Sequence, residues 1–285
     1  MSVEPRSPRK LARAVALAAA MIATPALTPG ADAADAGWPS RVDATYRVAF
    51  NGFDIGKFDF KADVTGATYT VTGDAQISAL LGAFWWKGMT RSSGHVSGLQ
   101  PKPAGYTFDF RGVGKEGSIK LGFGQGRVTS IASIPPKPPA PGTIPVGDQH
   151  LKDVLDPLSA VMALSRTANA NPCGRRMPVF DGKQRFDLVF SFVRQEAVAE
   201  RSPSGQPGVA FVCRVRYVPI AGHVMNEETR HMAAAESIEV SLRPVPSAAL
   251  FVPHRISIPT GAGAATLTAE RVNIVTRSEQ IALTN

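Results

Sequence analysis

Apolar side chains at every second position, broken at short intervals by turn residues, run through nearly all of this chain beyond residue 36. The stretch RVDATYRVAF (41–50) sets Val42, Ala44, Tyr46, Val48 and Phe50 on one face, and Asn51-Gly52 follows as a two-residue hairpin signal. A side-chain period of two belongs to a half-buried strand; a helix, at about 3.6 residues per turn, would scatter these side chains around its axis. The chain is therefore expected to be mainly β.

The return run FDIGKFDFKADV carries Phe53 and Ile55 in one phase but Phe58, Phe60, Ala62 and Val64 in the other, so a bulge is expected at Gly56. ATYTVTGDAQI, the aromatic LLGAFWWKGMTRSS, GYTFDFR, GSIKLGF and RVTSIAS continue the pattern. Then IPPKPPAPGTIPVG (134–147) interrupts it with six prolines, which cannot donate to a sheet. One helix is predicted next, from Asp156 to Ala168. Asp156 suits the N-cap, Pro157 the first helical position, and Leu158, Val161, Met162 and Leu164 form an apolar stripe. Strands resume with QRFDLVFSFV, in which Phe186, Leu188, Phe190 and Phe192 share a face. In VAFVCRVRYVPI, Cys213 points to the core and Arg214 and Arg216 away from it. SIEVSLRPV, LFVPHRISIP and ATLTAERVNIV complete the set. The fold class read from this order is a strongly curved antiparallel sheet or incomplete β-barrel with one short α-helix packed on its concave face. Two subdomains hinged at the Pro-rich run are the alternative.

Residues 1–36 do not follow the strand pattern. Arg6, Arg9, Lys10 and Arg13 precede an Ala-rich apolar run that ends in small residues at Ala31/Ala33 and Ala34/Ala36, the layout of a cleavable secretory signal cut after Ala36 or Ala33. The run is shorter than the roughly 20 residues of a spanning helix, and no cysteine stands at the cut to carry a lipid. A periplasmic protein, neither a lipoprotein nor transmembrane, is expected, with residues 37–285 as one β-rich domain. Cys173 and Cys213 are the chain's two cysteines, and in an exported protein they are most simply one disulfide. A reactive thiol pair would ask for C-x-x-C spacing, which is absent. The formal charge is +8, but the basic residues are scattered and no Lys/Arg-rich block with interleaved aromatics points to nucleic acid.

Sets of residues that carry chemistry are few. Gly112 to Gly117 matches G-x-G-x-x-G, yet the strand SIKLGF follows where a dinucleotide site needs a helix, so a hairpin turn is expected. His150 and Ser159 lie on either side of Asp153 and Asp156, the ingredients of a hydrolytic triad, without a nucleophile elbow or oxyanion loop. His223, Glu227 and His231 have zinc-binding spacing only if helical, and a polar loop or solvated strand is the reading. His95 and His254 stand alone. No catalytic set, metal site or cofactor is assigned. Phe84, Trp85 and Trp86 form the densest apolar stretch; with Phe190 and Phe192 they are the candidate ligand-binding residues.

The run YRVAFNGFDIGKFDF, DPLSAVMAL, FDGKQRFDL, CRVRYVPIAGH and PHRISIPTGAGAATLTAERV, in that order, resembles the exported bacterial proteins of domain of unknown function 3108 over roughly residues 43–275. The resemblance implies a β-rich periplasmic or envelope-associated protein and supplies no activity or catalytic residue. The functional expectation is a non-enzymatic envelope protein that binds a lipophilic or amphiphilic small molecule. A periplasmic hydrolase on Ser159 and His150, and a structural module that binds another envelope protein, are the alternatives.

Overall fold

Among the described residues, fourteen strands join edge to edge in a single antiparallel sheet. The computed structural model describes residues 37–136, 138, 141–167, 171–201 and 207–284. The secretory-signal reading of residues 1–36 and the expected helix end at Ala168 lie outside them. Before the Pro-rich run come β1 (Arg41–Phe50), β2 (Phe53–Thr65), β3 (Thr68–Ala79), β4 (Phe84–Ser97), β5 (Gln100–Gly112), β6 (Lys115–Gly124) and β7 (Arg127–Ile134). After it come helix α1 (Pro157–Ser165), β8 (Arg175–Phe180), β9 (Arg185–Arg201), β10 (Pro207–Ala221), helix α2 (Glu227–Ala234), β11 (Glu239–Val245), β12 (Leu250–Thr260), β13 (Gly263–Val275) and β14 (Gln280–Thr284).

The spatial order is β7-β6-β5-β4-β3-β2-β1-β13-β12-β11-β10-β9-β8, with β14 on β13. Two meanders, each of sequential hairpins, are thus zipped together where β1 pairs with β13. The two ends of this order, β7 and β8, flank the same connection in the chain. The described residues form one compact unit, with the sheet continuous on both sides of the Pro-rich run.

Bulges curl this sheet. Val48 pairs with Gly56 but Ala49 with Asp54, so one residue of β2 is extra at the expected slip. A side chain at Gly56 would lie 1.9 Å from the Gln76 carbonyl, which is why glycine stands there. Further register shifts occur between β1 and β13, β4 and β5, β6 and β7, β9 and β10, and β11 and β12.

Helix α1 lies in the concavity and touches β3, β4, β5, β8 and β12. Leu158 and Met162 pack into one apolar cluster with Tyr69, Val71, Tyr106 and Phe180, while Ala160, Ala163 and Leu164 pack into another around Cys173 and Cys213. It is buried on nearly every side, as a helix without a polar face must be. The predicted disulfide is present: Cys173, in the loop before β8, bonds to fully buried Cys213 on β10, with Cα atoms 5.6 Å apart.

Two sequence expectations need correction. A second helix, α2, exists where a polar loop or strand was expected; Asn226 caps it by accepting from the Thr229 amide at 2.9 Å. His223 precedes that helix and is buried rather than solvated, its Nε2 lying 3.2 Å from the Arg185 carbonyl. Gly112 to Gly117 is the expected turn, with Gly114 at φ 68° between β5 and β6.

Candidate functional site

The position of α1 is fixed by a buried polar cluster at its first turn. Asp156 Oδ1 accepts from the amides of Leu158 and Ser159, both at 3.0 Å, as an N-cap does. Its other oxygen accepts from Ser92 Oγ of β4 at 2.9 Å and from Ser159 Oγ at 2.5 Å. Tyr69 of β3 closes the cluster, its hydroxyl 2.7 Å from Ser159 Oγ. Burial pushes the Asp156 carboxyl above its ordinary range, although four hydrogen bonds, from the Ser159 hydroxyl and amide, the Ser92 hydroxyl and the Leu158 amide, oppose the shift in part. Burial likewise raises Tyr69 to about 12.

So anchored, α1 leaves a gap between itself and the strands on the far side of the sheet. An apolar cavity of about 110 Å³ lies there, lined by Val161, Met162 and Leu164 of the helix and by β1, β2, β12 and β13. Phe58, Phe60, Phe251 and Leu267 are among its large apolar lining side chains. The polar atoms that reach it are already bonded. Tyr46 donates to the Pro253 carbonyl at 3.0 Å, Trp38 Nε1 to the Gly98 carbonyl at 2.9 Å, and Ser165 Oγ to the Val161 carbonyl at 3.0 Å. Water needs two or more polar partners to enter a cavity, so this lining disfavours it and favours an apolar guest. Trp38 closes part of the wall with the Arg166 guanidinium 5.0 Å above its ring.

None of the five residues expected to bind ligand lines this space. Phe84 and Trp85 are exposed at the β3–β4 turn, and Trp86 packs against Phe108 at 6.3 Å. Phe190 is buried beside the disulfide. Phe192 is 48% exposed and reaches the cavity wall only through two edge-on contacts, to Phe211 at 6.3 Å and from Phe211 to Phe251 at 6.0 Å. Phe58, Phe60 and Val161, which do line it, were readable as members of apolar faces of a strand and a helix, but their meeting across the curled sheet was not.

His150 and Ser159 are not brought together. Ser159 is fully buried and its hydroxyl is engaged by Asp156, Tyr69 and Ser92; His150 Nδ1 accepts from the Gly147 amide at 3.1 Å. Among the described residues no group of three metal-binding side chains is present, and no helix is long and apolar enough to cross a membrane.

The family model "Protein of unknown function (DUF3108)" matches residues 45–270. The chain belongs to this family. The DUF3108 match takes in every strand from β2 to β12, α1 with its polar anchor, and most of the cavity wall. No curated protein matches the chain. Among solved structures it is similar to the crystal structure of a beta-barrel-like protein of domain of unknown function DUF1849 from Brucella abortus, at 11% identity and a TM-score of 0.49, covering 83% of this chain and 98% of that one.

Proposed function

We propose that this DUF3108 protein is an exported, non-enzymatic envelope protein that holds the chain or ring of a lipophilic or amphiphilic molecule in the cavity beside α1. The cavity carries the reading: it is apolar throughout and its bordering polar atoms are internally satisfied. At about 110 Å³ it is of the same order as the engineered cavity of about 150 Å³ that stays dry and takes up benzene. One alkyl segment or ring suits it; a whole drug-sized molecule, at about 300 Å³ or more, does not. Export rests on the pattern of residues 1–36 and agrees with the paired cysteines. A hydrolase on Ser159 and His150 has less support, because the serine hydroxyl is sealed under the helix cap.

The test is uptake of a fluorescent polyene fatty acid by the full chain. Saturable binding is expected, and ligand at about 100 times its Kd should raise the thermal midpoint by roughly 5–10 °C. Val161→Phe projects a ring into the cavity from α1 and should weaken uptake at least tenfold while leaving the unliganded midpoint unchanged or higher. Absence of saturable uptake, or uptake indifferent to Val161→Phe, refutes the reading.

A further inference from the structure

Five of the large apolar side chains left on the surface, Phe53, Leu80, Phe84, Trp85 and Val113, lie at hairpin tips at one end of the strands. The β2–β3 ladder ends outward at the pair Gly56–Ile77, and Phe53 and Leu80 each lie three residues beyond it. These are the most exposed large apolar residues described, at 75% and 80%. Leu80 has φ 53°, a conformation that glycine adopts freely and leucine does not, and it begins the tight turn between β3 and β4. On the far side of that turn Phe84 pairs with Ala79, and the Trp85 carbonyl accepts from Val113 at the β5–β6 tip at 3.3 Å. Phe53, Leu80, Phe84, Trp85 and Val113 therefore form one exposed row across three successive hairpin tips.

Charge is layered behind this row. Two residues inward from Trp85 on its own face, about 7 Å away, the registers align Arg47, Lys57, Gln76, Lys87, Arg111 and Glu116 across β1 to β6. Two residues farther in, the aligned positions are Asp59, Asp74, Met89, Asp109 and Ser118. Neighbouring acids partly neutralise the cationic row: Lys57 contacts Asp59 at 2.9 Å, Arg111 Glu116 at 3.7 Å, and Arg47 Asp54 at 3.5 Å and Glu270 at 3.8 Å. Lys87 makes no ion pair among the described residues and stands directly opposite Arg111. Like charges in that position repel, and an external anion between them would relieve it.

We propose that this end of the barrel docks on the surface of an anionic phospholipid bilayer. The apolar row enters the headgroup region, the cationic row meets lipid phosphates, and the acidic row stays in water. A bilayer surface has this order of polarity along its normal, with aromatic side chains favoured at its boundary. A protein partner would require no such ordering by depth. The inference is separate from the cavity, which lies on the inner face.

Co-sedimentation of the full chain with vesicles of phosphatidylethanolamine and phosphatidylglycerol, against phosphatidylcholine alone, tests it. Residues 1–36 are common to every variant, so comparisons between variants isolate the tips. Binding to the anionic vesicles is expected, weakening with salt. The exposed charge reversal Lys87→Glu should weaken it about tenfold, and Phe53→Ser/Leu80→Ser/Trp85→Ser about a hundredfold. Should the triple variant misfold, quenching of tryptophan fluorescence by brominated lipids gives a second measure; the quenched component should vanish in Trp85→Phe. No preference for anionic vesicles, binding or quenching unmoved by the tip variants, or a dimer in solution that the tip variants make monomeric, would overturn the proposal.

Discussion

A carboxylate with no cation beside it begins α1. Asp156 is fully buried, makes no ion pair among the described residues, and is held by hydroxyls and two amides. Desolvation raises its pKa in the fold, so the folded state holds the proton more tightly than the unfolded chain does. Its contribution is therefore full below the ordinary carboxyl value of 3.8 and is lost as pH rises through the raised folded value. Asp181, also raised by burial, acts in the same direction. Asp156→Asn keeps a capping acceptor and has no charge to desolvate. Its unfolding free energy should fall less between pH 4 and pH 7 than that of the unmodified chain, with the residual slope belonging in part to Asp181; equal slopes would show that Asp156 does not titrate as described. Asp156→Ala should cost about 2–4 kcal/mol in denaturant unfolding, because it removes the cap and leaves the buried hydroxyls of Ser92 and Ser159 without their acceptor.

At the scale of elements, local signals and long-range packing separate cleanly. Strands such as Arg41–Phe50 and the slip at Gly56 were legible because alternation and turn chemistry are written over a few residues. α1 was legible from its cap and Pro157, though it stops at Ser165, where the chain turns extended at Arg166. α2 was missed despite Asn226 as a cap, Glu227 and Glu228 in the first turn and His231 in the last, because its charged face hid a short helix with no fully buried residue. Phe58, Phe60 and Val161 were legible as members of an apolar strand phase and a helix stripe but not as a site, since α1 faces β1, β2 and β12 across the cavity only once the sheet curls. The disulfide has a local effect that follows from its place: it ties the loop before β8, an edge strand whose one ladder is to β9, to core strand β10. Closing a 40-residue separation is worth about 4 kcal/mol on the chain-entropy account. Reduction should lower the thermal midpoint by roughly 8–16 °C, and amide exchange should quicken first in Arg175–Phe180 while β2 to β5 stay protected. Uniform exchange across the sheet would contradict that picture.

For the molecule as a whole, the open question in any curled sheet is its seam. β7 and β8 share no ladder, yet the segment between them in sequence bridges the gap: Lys152 pairs with Arg127 of β7, and Leu155 pairs with Val179 of β8. The Asp153 amide donates to Gly126, the Leu155 amide to Pro178 at 2.9 Å, and the Phe180 amide returns to the Leu155 carbonyl at 2.9 Å. Packing completes the closure, since Phe180 shares a cluster with Leu121 and Val128 from the opposite edge. Lys152 to Leu155 therefore stitches both edges just before the chain enters the interior as α1. This makes the seam separable from the sheet. Leu155→Pro deletes the donor to Pro178, leaves that carbonyl without its partner, and sets a second proline just ahead of the Asp156 cap. A loss of about 2–3 kcal/mol is expected, accompanied by faster exchange at β8 and the start of β7 and by increased binding of an apolar dye as the interior opens. The β1–β13 junction lies on the opposite side of the barrel, and its amides should remain protected in the same experiment. If they lose protection together with the seam, closure is a property of the whole sheet and the 152–155 stitch is incidental.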